Sequence, residues 1–166
     1  VPVMSRELIS HPDFDKYDTS TLLSVGGGGA QLQPDLVGKI DQSVKSAKAS
    51  TGYGMTETCG IITSISGAYF LDKPDSCGPA MPNFEARCVN ADGETVPQGE
   101  VGELWVKGAP VIKGYLNREE ATAESITNRS IFWIGNSFTC SKSCGCAEGS
   151  AGEGEVHNIV HATAMG

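Results

Sequence analysis

Apolar positions follow two rhythms along this chain. Over the first 75 residues the spacing alternates between helix and strand. Met4, Leu8 and Ile9 fit the apolar face of a short helix, and Ser10-His11-Pro12-Asp13 reads as a turn after it. Thr21-Leu22-Leu23-Ser24-Val25 is a short apolar run with strand character that stops at Gly26-Gly27-Gly28-Gly29-Ala30. Pro34 and Asp35 then open a helix whose buried stripe is Leu36, Val37, Ile40, Val44 and Ala47, spaced close to the helical repeat. A strand, a glycine-rich turn and a helix make the unit of an α/β sheet, in which ligands sit beyond the carboxyl ends of the strands. Cys59 to Ile65 reads as buried extended chain.

The rhythm changes at Pro74-Asp75-Ser76-Cys77-Gly78-Pro79-Ala80-Met81-Pro82, which reads as a linker between lobes. Short alternating runs follow. Phe84–Val89 and Glu94–Val96 flank the turn Asn90-Ala91-Asp92-Gly93, Glu103–Lys107 is the next strand, and Val111–Leu116 comes after it. Asn117 is the expected N-cap of an amphipathic helix over 117–126. The predicted class is α/β: a partial α/β sandwich over 1–75, a small, mostly antiparallel β lobe over 76–128, and an irregular, divergent tail over 129–166.

Composition narrows the partners. At 166 residues the chain is long enough for one ordinary domain with a real core, and 39% apolar with 19% charged residues is a soluble composition. A net charge of −8 argues against a general nucleic-acid binder, though not against a nucleotide site, because backbone amides and a metal ion hold phosphates in acidic proteins. No run of roughly 18 apolar residues is present to span a membrane. Cys59, Cys77 and Cys88 are scattered singly, as reduced cytosolic thiols or small core residues are, and a cytoplasmic location is expected, with peripheral membrane association or an organelle left open. The start Val1-Pro2-Val3-Met4 has no initiating Met and no leader pattern, so a piece of a longer protein is expected.

The candidate chemistry sits in Gly52-Tyr53-Gly54-Met55-Thr56-Glu57-Thr58. Two glycines let the backbone approach a ligand closely, and Tyr53 offers a flat apolar face to a planar ring. Thr56 can donate to a phosphate or carboxylate oxygen, and Glu57 is a hard oxygen ligand suited to Mg²⁺. On these residues alone a nucleotide site and a glycine-rich turn with a solvated acid are equally good readings. The four glycines at 26–29 likewise suit either close backbone contact or a flexible connector. Neither usual phosphate fingerprint is complete there, because no Gly-Lys-Ser/Thr follows and the G-x-G-x-x-G spacing fails at Gln31 and Leu32.

Taken together, Gly27-Gly28-Gly29-Ala30, Gly52-Tyr53-Gly54-Met55-Thr56-Glu57, Gly102-Glu103-Leu104-Trp105-Val106-Lys107-Gly108 and Gly114-Tyr115-Leu116-Asn117 resemble the adenylate-forming superfamily over about residues 1–128. That superfamily holds acyl-CoA synthetases, luciferases and peptide-synthetase adenylation domains. The spacing of Cys59-Gly60, Pro74–Gly78 and Gly114-Tyr115-Leu116-Asn117 looks most like a medium- or long-chain fatty acyl-CoA ligase, with 4-coumarate-type ligases close behind. The resemblance implies two steps: a carboxylate attacks the α-phosphate of ATP to give acyl-adenylate and pyrophosphate, and the thiol of coenzyme A then displaces AMP. It implies that Gly28, Gly29 and Ala30 border the adenine and the acyl tunnel. Tyr53 would stack on adenine, with Gly52, Gly54 and Met55 in the same nucleotide-binding set. Thr56 would contact the α-phosphate and the acyl carboxylate, and Glu57 would hold Mg²⁺. Gly102 to Gly108 carries no chemistry in the resemblance.

The departures from the pattern are specific. The family's earlier Ser/Thr/Gly-rich phosphate loop would lie upstream of Val1, and its C-terminal domain with a catalytic lysine is not in the sequence, so an isolated chain without turnover is expected. Where the family has an aspartate for the ribose hydroxyls, Ile131-Phe132-Trp133-Ile134-Gly135-Asn136 offers Asn136, which lacks the charge and the two-oxygen acceptor. The tail then turns to Ser, Gly, Ala and Cys, as a shifted reading frame or unspliced stretch would. Cys140, Cys144, His157 and His161 match a zinc-finger spacing, but the spacer is glycine-rich and acidic and lacks core residues. Asn128-Arg129-Ser130 fits a glycosylation acceptor. The rival reading from another class is a non-catalytic nucleotide-binding or zinc-holding interaction protein.

Overall fold

The computed structural model describes residues 1–127, 130–131 and 138–139. Asn136, the cysteine and histidine set of the tail, and the first two residues of the glycosylation triplet lie outside the described residues. The chain divides into two compact units, one from Val1 to Met81 and one from Pro82 onward.

The first unit is built on a three-stranded sheet in which β1 (Ser24–Gly27) pairs in parallel with β2 (Lys48–Met55), and β2 pairs antiparallel with β3 (Gly60–Ser66). Parallel neighbours need a crossover, and α2 (Pro34–Ser43) supplies it. Pro34 fixes the first turn, where its missing N–H costs nothing, and Leu36, Val37 and Ile40 face inward from the helix. The helix stops at Ser43, yet Val44 and Ala47 beyond it remain buried, so the whole predicted stripe enters the core. That core joins Val25 and Ala49 of the parallel strands to Leu32, the α2 stripe, Ile65 and Phe70, the last from α3 (Ala68–Asp72).

Three details of this unit depart from the expected pattern. The helix at the start, α1 (Pro2–Ser10), forms, but Met4 and Leu8 point to solvent while Ser5 is buried and Ile9 packs against the core. Ser5 turns inward because its hydroxyl donates to the Gly26 carbonyl at 2.7 Å. The first strand begins at Ser24 and runs through Gly26 and Gly27 instead of ending before them. A side chain at Gly26 would run into the carbonyl of Ser50, its register partner, so the glycine is what lets the two strands pair here. The proline-rich stretch before Pro82 is also no loose tether. Thr63 pairs with Ala80, Ser64 N–H donates to the Pro79 carbonyl at 3.2 Å, and Met81 N–H donates to the Ile62 carbonyl at 2.8 Å, so this segment lies along the free edge of β3.

The second unit has only antiparallel pairings among its described residues. β4 (Phe84–Val89) pairs with β5 (Val101–Gly108), which pairs in turn with β7 (Ser130–Ile131) and β8 (Phe138–Thr139), while β6 (Ile126–Thr127) pairs with β7. Cys88, Val89, Leu104 and Val106 are buried in it. Beside the buried set, Arg87 sits 5.0 Å from the ring centre of its register partner Trp105. The Asn90–Gly93 turn closes as expected, with the Asn90 side-chain oxygen accepting the N–H groups of Asp92 at 3.0 Å and Glu94 at 2.9 Å.

Val111–Leu116 is not a strand. Its one buried anchor is Val111, and Leu116 is fully out in solvent. The following helix, α4 (Glu119–Ser125), starts after Arg118 and not after Asn117. Asn117 instead takes the left-handed conformation with φ of 55°, a role that asparagine tolerates better than most residues. Thr122 holds the bend by accepting from the Tyr115 N–H at 2.9 Å and donating to the Arg118 carbonyl at 2.7 Å.

Two glycines test this packing in opposite directions. Gly38 in α2 has open space around it, so Gly38→Ala is expected to raise stability by about 0.5–1 kcal/mol. A side chain at Gly54 would meet the Gly60 carbonyl, so Gly54→Ala is expected to lower stability by at least about 1–3 kcal/mol. Denaturant unfolding of the chain and its two variants measures both shifts, and equal shifts would contradict the packing.

Candidate functional site

The parallel pairing of β1 with β2 decides where the two glycine motifs go. Ser24, Val25, Gly26 and Gly27 stand opposite Lys48, Ala49, Ser50 and Thr51, so both strands deliver their carboxyl ends to the same edge of the sheet. Thr51 fastens that end, its hydroxyl donating to the Gly27 carbonyl at 2.9 Å. One residue further, a β-carbon on Gly28 would lie 3.3 Å from the Gly52 carbonyl. The half-buried Gly28 and the exposed Gly29 and Ala30 therefore leave β1 directly beside the start of Gly52-Tyr53-Gly54. Gly29 has a φ of 76°, which turns the chain away at that point.

Gly52 to Met55 is strand and not turn. Gly52 lies under β3, where a β-carbon would sit 3.0 Å from the Thr63 carbonyl. Tyr53 faces Thr63 across the pair, and the register then slips, with Gly54 opposite Ile61 and Met55 opposite Gly60. Such a bulge re-aims the side chains that follow it. Tyr53 is half-buried, and burial first, then the nearby Cys77 and Glu57, push its phenol up from 10.0 to about 12. It is a neutral aromatic at any ordinary pH.

After the strand, Thr56–Thr58 forms a single 3₁₀ turn. Thr56 is exposed and Glu57 half-buried, while Thr58 is buried. Cys59 closes the turn in the left-handed conformation, its N–H donating to the Thr56 carbonyl at 3.1 Å. The structure thus brings Gly28, Gly29, Ala30, Gly52, Tyr53, Gly54, Met55, Thr56 and Glu57 to one edge of one unit. It offers a glycine cradle, an aromatic face, an outward hydroxyl and a carboxylate in sequence along that edge.

Among the described residues no group of three or more His, Cys, Asp and Glu side chains could hold a metal. Glu57 is nonetheless a sound partner for Mg²⁺, which keeps several waters and takes one or two carboxylates together with a substrate's phosphates. Two residues of the site escape a sequence reading. Thr51 and Thr58 act through hydroxyls turned into the fold, and no spacing rule separates them from the outward Thr56. No disulfide joins Cys59, Cys77 or Cys88, and Cys59 is exposed.

Comparison with known proteins places this geometry. Residues 1–116 match the AMP-binding enzyme family. The chain is 36% identical over 140 residues to 4-coumarate–CoA ligase-like 9 of Arabidopsis thaliana, covering 84% of this chain and 25% of that protein. It is 37% identical over 127 residues to a feruloyl-CoA synthase of an Amycolatopsis species, covering 75% of this chain and 25% of that protein. Among solved structures, o-succinylbenzoate coenzyme A synthetase from Bacillus subtilis in complex with ATP and magnesium ion superposes with a TM-score of 0.72 at 26% identity, covering 84% of this chain and 28% of that one. The chain spans about a quarter of the length of these relatives. With a sheet, a lobe and a sequence match of that extent, it belongs to the AMP-binding enzyme family.

Proposed function

We propose that this chain is the adenylate-holding part of an ATP-dependent acid–thiol ligase. Such a ligase joins a carboxylate oxygen to the α-phosphorus of ATP with loss of pyrophosphate. The sulfur of coenzyme A then takes the acyl carbon with loss of AMP. The observation that carries the reading is the parallel register that sets Gly28 against Gly52 and delivers both glycine motifs to one strand edge. There Gly28, Gly29 and Ala30 border the adenine and the acyl group, and the ring of Tyr53 lies against the adenine. The strand backbone at Gly52, Gly54 and Met55 runs alongside. The hydroxyl of Thr56 donates to an α-phosphate or carboxylate oxygen, and Glu57 holds Mg²⁺. The ion, when bound, offsets the repulsion between a carboxylate and a phosphate that must meet.

The acid is a carboxylic acid whose class two signals read differently. The resemblance around Cys59-Gly60 favours a fatty acid, whereas the names of the relatives carry coumarate and ferulate. The relatives match over most of the chain, so we favour an aromatic acid. No helix among the described residues is long and apolar enough to cross a membrane. The zinc-holding alternative rests on residues outside those described.

Two measurements test the reading. A non-hydrolysable mimic, 5′-O-(N-acylsulfamoyl)adenosine, is expected to bind the 166-residue chain saturably by calorimetry, with the coumaroyl form ahead of the decanoyl form. Tyr53→Ala is expected to weaken it roughly 10- to 100-fold, the range of one base–aromatic stack. Undiminished affinity in the variant would remove Tyr53 from the adenine site. The raised phenol also predicts a pH response. A group whose folded value lies above its unfolded one contributes stability that is whole below the unfolded value and disappears as pH rises through the folded one. Unfolding midpoints should therefore carry a component that is level up to pH 10 and falls toward about 12, and Tyr53→Phe should remove that component.

A further inference from the structure

We infer that Thr58 is the positioning residue of this site, the buried pin that fixes how the outer side of the 56–58 turn presents Thr56 and Glu57. This rests on reading Glu57 as the Mg²⁺ ligand of an adenylate site. The observations are geometric. Of the three turn residues, Thr58 alone is buried, with 1% of its surface exposed. Its hydroxyl lies 2.9 Å from the Met55 carbonyl and 2.8 Å from the Gly60 carbonyl, and it accepts the Met55 N–H at 3.3 Å. Met55 and Gly60 are the last register partners of β2 and β3, so this one hydroxyl ties both ends of the reversal together from inside.

The reversal has few other constraints. Cys59 N–H to the Thr56 carbonyl closes the turn itself, but Cys59 sits in the left-handed conformation that a β-carbon disfavours. Gly60, with a φ of 138°, adds a flexible joint directly after it. A turn bounded by a strained residue and a glycine would sample several arrangements unless something held it. A buried hydroxyl with two carbonyls and one N–H around it does so, because opening the turn would leave that hydroxyl buried without a partner. Groups of this kind behind a metal ligand set its orientation, and their loss costs metal affinity without touching the metal.

The test compares Thr58→Val, which keeps the shape and removes the hydroxyl, with Thr58→Ser, which keeps the hydroxyl. In metal-free chain, amide exchange at Met55 is expected to speed up in Thr58→Val and to return toward the parent rate in Thr58→Ser. In ATP titrations with and without Mg²⁺, Thr58→Val is expected to lose about 10- to 100-fold of the affinity that Mg²⁺ adds, while Mg²⁺-free affinity, which keeps only the Thr56 contact to lose, falls by less and Thr58→Ser recovers both. Should Thr58→Val not fold, Thr58→Ala against Thr58→Ser makes the same comparison. A full Mg²⁺ gain without the hydroxyl, or an equal loss with and without Mg²⁺, overturns the assignment as a positioning role. A parent chain that binds ATP but gains nothing from Mg²⁺ overturns the metal role of Glu57, and one that binds no ATP overturns the adenylate reading itself.

Discussion

Everything at the site depends on how closely β1 approaches β2. The two parallel strands run side by side to the end of β1, and that end is Gly26 and Gly27. A side chain on Gly26 would strike the Ser50 carbonyl, and one on Gly28 would press on the carbonyl of Gly52. Threonine and serine hydroxyls complete the contact. Thr51 reaches the Gly27 carbonyl at 2.9 Å, Ser5 reaches the Gly26 carbonyl at 2.7 Å, and the Ser24 and Ser50 hydroxyls meet at 2.7 Å. The price is paid in conformational entropy, since glycines lose more freedom on folding than other residues. The buried apolar set of α2, with Val25, Ala49 and Phe70, offsets that cost from below.

From that contact the rest of the edge follows in order. The carbonyl ends of both strands emerge together, the bulge at Gly54 turns the backbone, and the 3₁₀ turn leaves Thr56 exposed and Glu57 half-buried. Tyr53 stays in the strand, half-buried and neutral, opposite Thr63 in the register. The rigid part of the site is therefore strand, and only its polar end is turn. That division suits a ligand with one planar end and one charged end, since the plane needs a fixed face and the charge needs aimed donors and a cation.

Much of this was readable from periodicity. The Leu36, Val37 and Ile40 stripe and the alternation through Leu104 and Val106 are local patterns, and local patterns survive into the fold. The motifs at 27–30 and 52–57 were readable as company, since neither decides its own meaning alone. What escaped was set by contacts between distant segments. Glycine ordinarily punctuates, so Gly26 and Gly27 looked like the end of a strand, although they are the part of it that a neighbour needs bare. Pro79 and Ala80 looked like linker because proline breaks elements, yet their carbonyl and backbone pair with β3. Val111 to Leu116 is apolar enough for a strand but finds no partner strand among the described residues, and Asn117 chose the left-handed turn over the cap. Met4 and Leu8 had the right spacing for a core face, but the inward position went to Ser5, which had a carbonyl to meet.

The claim that the two glycine motifs form one adenine-binding edge is tested most directly by photolabelling. The 166-residue chain irradiated with 8-azido-ATP should carry the label on peptides holding Gly28–Ala30 and Gly52–Tyr53, with unmodified ATP competing it away. Label confined to peptides of the second unit, or undiminished by excess ATP, would contradict the account.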